Sequence, residues 1–558
     1  MSSALPDINN ALPRASTLLR YLHTLRYLRP VQVLARLRRA LRHPRADTGP
    51  APAPRPVNGS WRAPVAGTPS LVAPERFRLL NVERDCRVAG DWQPAGADKL
   101  WIYNLHYFDD LNARAAASRR AWHLRLLERW VAENAPGAGD AWEPYPVSRR
   151  IVNWLKWRLG GGELSAACRQ SLAVQARWLR GALEYHLLGN HLLANAKALV
   201  YAGLYFAGAE AESWYEHGMR ILTRELREQV LPDGGHFERS PMYHATVLED
   251  LLDVLNALRA YGRAAPAEWL AVSARMRRWL QVMTHPDGGI AFFNDAALQI
   301  APSSAELEAF AVRLGLPPAA DAREALLALE PSGYVRALAP AACLLCDCAP
   351  VGAAYQPGHA HADTLSFELS LGAQRLLVNS GTSRYGTDAE RQRERGTAAH
   401  NTVVVDGADS SEVWSGFRVG RRARVRLHAA HATDEGALIE ASHDGYRRLP
   451  GRNRHARQWR LGGQSLRIED RLSGAFSSAE ARFHLHPAVR ATPSGVRGVL
   501  LRWAEDRGGA RLSVAGAAAL QVQPSQWYPE FGVQLPNTCV VARFGGDTLV
   551  TQLEWRRP

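Results

Sequence analysis

The chain has 558 residues, 46% of them hydrophobic and 22% charged, too long for one ordinary core, so two or three globular domains are expected. Its 68 Lys+Arg against 54 Asp+Glu leave a formal charge of +14, which favours a polyanionic partner, either nucleic acid or an acidic polysaccharide. No apolar run approaches the roughly 18 residues needed to span a bilayer, and six cysteines in such a length do not make a disulfide framework.

From the N-terminus, residues 17 to 43 form a basic, amphipathic stretch with Leu18, Leu19, Leu22, Leu25 and Leu28 near helical spacing. Its ordinary reading is a solvated helix packed on the main body. The cluster Arg36, Arg38, Arg39 and Arg42 would also suit acidic lipid or polymer. Arg14, Arg20 and Arg26 interrupt any apolar region, so no signal peptide is recognised and the sequence alone reads as cytoplasmic. Residues 45–75, rich in Pro, Ala and Gly, read as a linker or an irregular wrap, and 1–75 as an N-terminal extension.

Helical periodicity then dominates to about 330, with helices expected over 117–134, 147–160, 164–186, 188–207, 210–229, 240–262 and 264–284. Consecutive antiparallel helices close into a toroid or stack as a solenoid. No fixed sequence period is present, which favours a toroid over 76–330. Beyond 331, short alternating runs such as Thr402–Val405, Arg422–Leu427, Leu466–Arg471 and Ala481–Leu485 are separated by Gly, Asp, Asn and Ser. That texture predicts an antiparallel β-sandwich over 331–558. Cys343, Cys346 and Cys348 lack a second pair at metal-site spacing and alternate as a strand does, so a zinc knuckle is not expected.

Polar clusters interrupt both halves. Tyr103, Asn104 and His106 follow a strand-like Leu100–Ile102; their mix of aromatics and an amide suits sugar stacking or a structural wall. Arg149 and Arg150 enter a helix and could grip a carboxylate or pair with nearby acids. Gly189-Asn190-His191 stands at a helix N-terminus, where backbone donors favour an anion, although Asn is also an ordinary cap. Glu238 precedes a helix opened by Ser240 and Pro241 that carries Tyr243 in its first turn. In the β half, Gly358–Asp363 reads as a strand edge with His359, His361 and Asp363 on one face, able to bind a metal or to hold one imidazole for proton transfer. Asn379–Gly386, including Tyr385, follows. Arg391, Arg393 and Arg395 then recur at spacing two, lying along an anionic chain or forming a solvated charge run.

Taken in order, Gly189-Asn190-His191, Ser240-Pro241-Met242-Tyr243, Gly358–Asp363 and Ala399-His400-Asn401-Thr402 resemble the motifs of the heparinase II/III-like family of polysaccharide lyases, over about residues 100–450. The resemblance implies an incomplete (α/α) toroid followed by an antiparallel β-sandwich, with the active cleft between them. It also implies β-elimination at a uronic acid. Matched by position, Asn190, helped by His191, corresponds to the group that neutralises the substrate carboxylate. Tyr243 corresponds to the catalytic tyrosine, as base, acid or both, and His359 to its histidine partner. Tyr103, His106, Arg149, Arg150, Glu238, Tyr385, Arg393 and Arg395 are the accompanying candidate substrate contacts.

Some members of the family hold a structural zinc. The equivalent positions are His361, His400 and Asn379, where those members have an aspartate; Asp363 is a possible substitute. An asparagine is a weaker, neutral ligand. The N-terminal hundred residues resemble a branch associated with bacterial capsule and exopolysaccharide assembly. The expected partner is therefore an acidic polysaccharide, met in the periplasm or cell envelope, and not nucleic acid, for which no binding motif accompanies the charge. Two other readings are a glycoside hydrolase using a pair among Glu143, Glu238 and Asp295, and a non-catalytic polymer-binding protein.

Overall fold

The computed structural model describes residues 15–41, 45–503 and 508–556; Arg14, Arg42 and His43 lie outside them. Its α-helices are α1 (Ala15–Leu25), α2 (Pro30–Leu41), α3 (Lys99–Tyr107), α4 (Arg120–Glu133), α5 (Pro144–Leu159), α6 (Ala166–Gly181), α7 (Gly189–Tyr205), α8 (Ala209–Gln229), α9 (Pro241–Ala260), α10 (Ala267–Val282), α11 (Ser304–Arg313) and α12 (Ala389–Arg395). The seven helices expected from periodicity correspond to α4–α10, each beginning within three residues of its expected start. The strand expected at Leu100–Ile102 is instead the first turn of α3, capped by the Asp98 carboxylate, which accepts from the Leu100 amide at 2.8 Å. Cap and tertiary packing outweigh the weak strand preference of a three-residue aromatic and β-branched run.

Helices α4–α11 make the incomplete toroid around α7. Sixteen of the seventeen α7 residues are buried, all but His191, because the helix is apolar on every side and packs against α5, α6, α8 and α9. Residues 45–70 wrap the toroid: Arg55 donates to the Tyr205 carbonyl at 2.6 Å, and Gly59 to that of Ala260 at 2.9 Å. Among the described residues no helix is long and apolar enough to cross a membrane.

The β half is a two-layer antiparallel sandwich. One layer is an eight-stranded sheet formed within residues 425–555. The other joins a five-stranded meander (326–377) to a four-stranded sheet, edge to edge, where Val378 donates to the His484 carbonyl at 2.9 Å and His486 to that of Leu376 at 3.1 Å. Inward residues of all three sheets, among them Leu344, Phe367, Trp459, Phe483 and Val540, share one core. The Cys343–Cys348 segment belongs to this meander, with its cysteines buried and unpaired.

Candidate active site

A cleft of about 1350 Å³ lies where the toroid meets the sandwich. Seven of the candidate residues line it: Tyr103, Arg149, Asn190, His191, Tyr243, His359 and Tyr385. They arrive from both halves of the chain, so neither half holds the site alone.

The N-terminus of α7 supplies two of them. Leu188 (φ 66°) and Gly189 (φ 59°) are both in the left-handed half of backbone space, a conformation that turns the chain sharply into the helix. A Cβ on Gly189 would stand 2.9 Å from a Glu238 carboxylate oxygen and 3.2 Å from Gln356, so any side chain there would push on Glu238 as well as strain the left-handed backbone. Asn190 follows, buried, with its Oδ1 lacking a partner. Next to it, His191 Nδ1 lies 3.1 Å from Glu184, and its ring lies 4.6 Å from that of Tyr145. Burial works against charge on His191, but the Glu184 carboxylate outweighs it and raises the imidazole pKa above its ordinary value. Glu184 in turn lies below the usual carboxylate range despite its burial, because of His191 and of Asn195, which donates to it at 2.9 Å. Glu184 thus favours the protonated form of His191, which stands beside Asn190.

The N-terminus of α9 sets Tyr243. Ser240 Oγ accepts from the Tyr243 amide at 3.1 Å and donates to the Asp295 carbonyl, which fixes the first turn. The Tyr243 ring stacks on His359 at 3.7 Å and 13°, and its hydroxyl hydrogen-bonds the Tyr385 hydroxyl at 2.7 Å. Burial drives both phenols well above their ordinary range, and among the described residues no cation contacts the Tyr243 oxygen. His359 meets the Tyr243 ring face, not the hydroxyl, so it gives the phenol no cationic partner that would lower its pKa. Tyr243 is thus a protonated phenol.

His359 Nδ1 is hydrogen-bonded to the buried Glu238 carboxylate. Glu238 remains below the ordinary carboxylate range, since its burial is outweighed by His359, and its other oxygen faces the Asn190 amide at 3.4 Å. With Nδ1 donating, the neutral ring carries its lone pair on Nε2. Glu238 does not line the cleft; it positions His359 and the start of α7 from behind.

Residues 358–363 are a loop, not the expected strand edge; the regular strand begins at Phe367. The alternation of alanine with polar residues mimics a period of two, but the loop aims its histidines apart. His359 faces the cleft. His361 is buried in a network, its Nε2 2.8 Å from Asp295 and its Nδ1 3.1 Å from His400 Nε2. Burial lowers its pKa to about 4. The two facing nitrogens could share a metal. At the third position, however, Asn379 is already committed: Oδ1 accepts from the Asn401 amide at 3.1 Å and Nδ2 donates to the Phe292 carbonyl at 2.9 Å. Asp363 accepts from the Asn294 amide at 2.8 Å. Among the described residues no group of three His, Cys, Asp or Glu side chains is placed to hold a metal ion. The donor set does not fit zinc.

Besides Glu238, four expected substrate contacts lie away from the cleft. His106 is buried, accepting from Trp130 Nε1 at 3.1 Å, and Arg150 packs over the Trp130 ring at 3.8 Å while donating to Gln175. Arg395, on the buried side of α12, donates to the Ala360 carbonyl at 2.9 Å. Arg393 pairs with Glu390 at 2.6 Å and covers Tyr528. The spacing of two suited an anionic chain or a solvated charge run, whereas the segment is helical and Arg391 and Arg395, one turn apart, both turn inward. Of the paired arginines in α5, only Arg149 reaches the cleft, 3.2 Å from Asp109. Sequence reading missed Tyr145, Lys156, Arg418 and Arg422, which also line it. A lysine between Trp154 and Trp157 was the available signal for Lys156; it lies 2.9 Å from Asp253.

The three carboxylates named for a hydrolase are all engaged. Glu238 is bound to His359. Asp295 takes a bidentate contact from Arg391, which holds it far below the usual range despite burial. Glu143 accepts from the Tyr103 hydroxyl and from Lys99 at 2.7 Å.

Comparison with known proteins agrees with this architecture. Residues 118–310 match the model of the heparinase II/III N-terminus, and residues 321–556 match that of the heparinase II/III-like C-terminal region. FtsZ-localized protein C of Caulobacter vibrioides is 28% identical over 434 residues, 73% of each chain. A heparin-sulfate lyase of Bacteroides stercoris is 36% identical over 117 residues, 20% of this chain and 18% of that one. Among solved structures, a heparinase III superposes with a TM-score of 0.67 at 17% identity, covering 84% of this chain and 79% of that one. The heparan sulfate lyase of Pedobacter heparinus does so at 0.58 and 17%, covering 95% and 88%.

Proposed function

The chain belongs to the heparinase II/III-like family, and from that premise we propose that it is a polysaccharide lyase that cleaves a uronic-acid-containing acidic polysaccharide by β-elimination. The observation that carries the reading is the convergence of Asn190 and the His191–Glu184 pair in one cleft with the stacked His359 and Tyr243. The curated relatives named heparin-sulfate lyases support the same class.

The chemical obstacle is that the proton next to a carboxylate is weakly acidic, and removing it piles charge onto that group. Asn190 and the His191 imidazolium meet the carboxylate with a preorganised amide and a cation. The free His359 Nε2 takes the C5 proton, with Glu238 stabilising the imidazolium that forms. The electron pair of the C5–H bond becomes the C4=C5 double bond, the C4–O bond breaks, and its pair leaves on the glycosidic oxygen. That oxygen takes the proton of Tyr243, which burial has kept on the phenol, and Tyr385 holds the hydroxyl in place. One product is an unsaturated uronate; the other is a shortened chain with a new reducing end, its anomeric carbon keeping the protonated glycosidic oxygen.

The polymer we propose is a bacterial exopolysaccharide or capsule, on the strength of the N-terminal region's resemblance to that branch. A panel of uronate polymers, each paired with a carboxyl-reduced copy, tests the reading. One native polymer should be shortened while its reduced copy survives. Equal cleavage of both copies would remove Asn190 and His191 from the proposed role.

A further inference from the structure

Helices α1 and α2 are inside out. In an ordinary surface helix the apolar stripe faces the core. Here the polar side faces the body. Gln32 is 1% exposed, with Nε2 donating to the Leu187 and Tyr355 carbonyls at 3.3 and 3.4 Å. Thr24 donates to the Val419 carbonyl at 3.2 Å, and Arg29 pairs with Glu228 while covering the Tyr355 ring. The apolar side faces out: Leu22 is 63% exposed, Leu34 65% and Leu41 83%. Ten of the 21 exposed large apolar side chains among the described residues stand on these two helices, so the patch is no random scatter.

The same segment is uniformly basic. No acidic residue occurs between Asp7 and Asp47, against nine arginines. Among the described residues no carboxylate pairs with Arg26, Arg36, Arg38 or Arg39. Exposed leucines on a basic amphipathic helix have the composition of an element that lies in a lipid headgroup layer. An acidic polymer would satisfy the arginines and leave the leucines in water; a neutral apolar partner would do the reverse.

We propose that α1 and α2 dock this chain peripherally on an anionic lipid surface. The leucine face enters the interface and the arginines meet the headgroups. Tyr21, Leu25, Tyr27, Leu28 and Arg36 of this segment also line the cleft, so docking would hold the cleft beside the lipid surface. The inference stands apart from the chemistry proposed above.

Sedimentation of the full chain with vesicles tests it. The chain should pellet with phosphatidylcholine vesicles containing phosphatidylglycerol, less so as salt is raised, and weakly with phosphatidylcholine alone. Leu22→Ser and Leu34→Ser lie outside the cleft and on the surface, so thermal stability should be unchanged while vesicle affinity falls by about tenfold each or more. Three outcomes overturn the proposal. They are no pelleting with anionic vesicles, equal pelleting with neutral ones, or a dimer in solution that the two substitutions dissociate without any vesicle binding.

Discussion

At the scale of single residues, the two histidines of the 358–363 loop do different work although each touches a carboxylate. His359 ends in the cleft, while His361 ends in a closed network with Asp295 and His400. A plain His359→Ala would strand the buried Glu238 carboxylate, so loss of activity there could simply be loss of fold. His359→Gln keeps a donor for Glu238 but has no basic lone pair. It should melt near the wild-type temperature and lose turnover by about 10²–10⁴; more than a tenth of wild-type turnover would relieve His359 of the base role. His361→Ala should instead lower the melting temperature, because Asp295 and His400 lose a buried partner at about 1–3 kcal/mol each. A second test concerns His191, whose pKa is raised in the fold. Its interaction with Glu184 is fully present below the unfolded imidazole value and fades as pH rises through the raised one. The kcat/KM profile should therefore fall on its alkaline side, and His191→Gln should be slower and flat there. An unchanged alkaline limb in that variant would assign it to another group.

Among secondary-structure elements, the helix starts carry the site. Their legibility in the sequence depended on how local the determinants were. Ser240 and Pro241 announce the start of α9 because cap and fixed φ are properties of adjacent residues, and Tyr243 could be placed in its first turn. The turn into α7 was legible as a helix start but not as a strained one, since a leucine carries no preference for the left-handed conformation Leu188 adopts. The 358–363 loop was misread because a spacing of two implies a strand only where a ladder exists. Nothing local says that Arg150 and Arg395 turn inward, or that Asn379 spends its amide on backbone groups. Gly189→Ala tests the α7 start. It adds roughly 1–2 kcal/mol of left-handed strain and pushes against Glu238, so it should displace both Asn190 and His359 and lower kcat more than tenfold. A variant with wild-type kcat would mean that the turn is not what sets the site.

On the scale of the whole molecule, the division into helices and strands followed from periodicity, because each half repeats its pattern over more than 200 residues. The cleft did not, because it joins α5, α7 and α9 to loops of the sandwich more than a hundred residues away. The central claim, elimination across that cleft, has a direct readout. Once a cleaved polymer is found, its products should absorb in the ultraviolet as a conjugated uronate does, one chromophore for each chain break. Tyr243→Phe should lose about 10²–10⁴ of that rate while still binding the polymer. Chains shortened without the chromophore would mean hydrolysis, and would contradict the account.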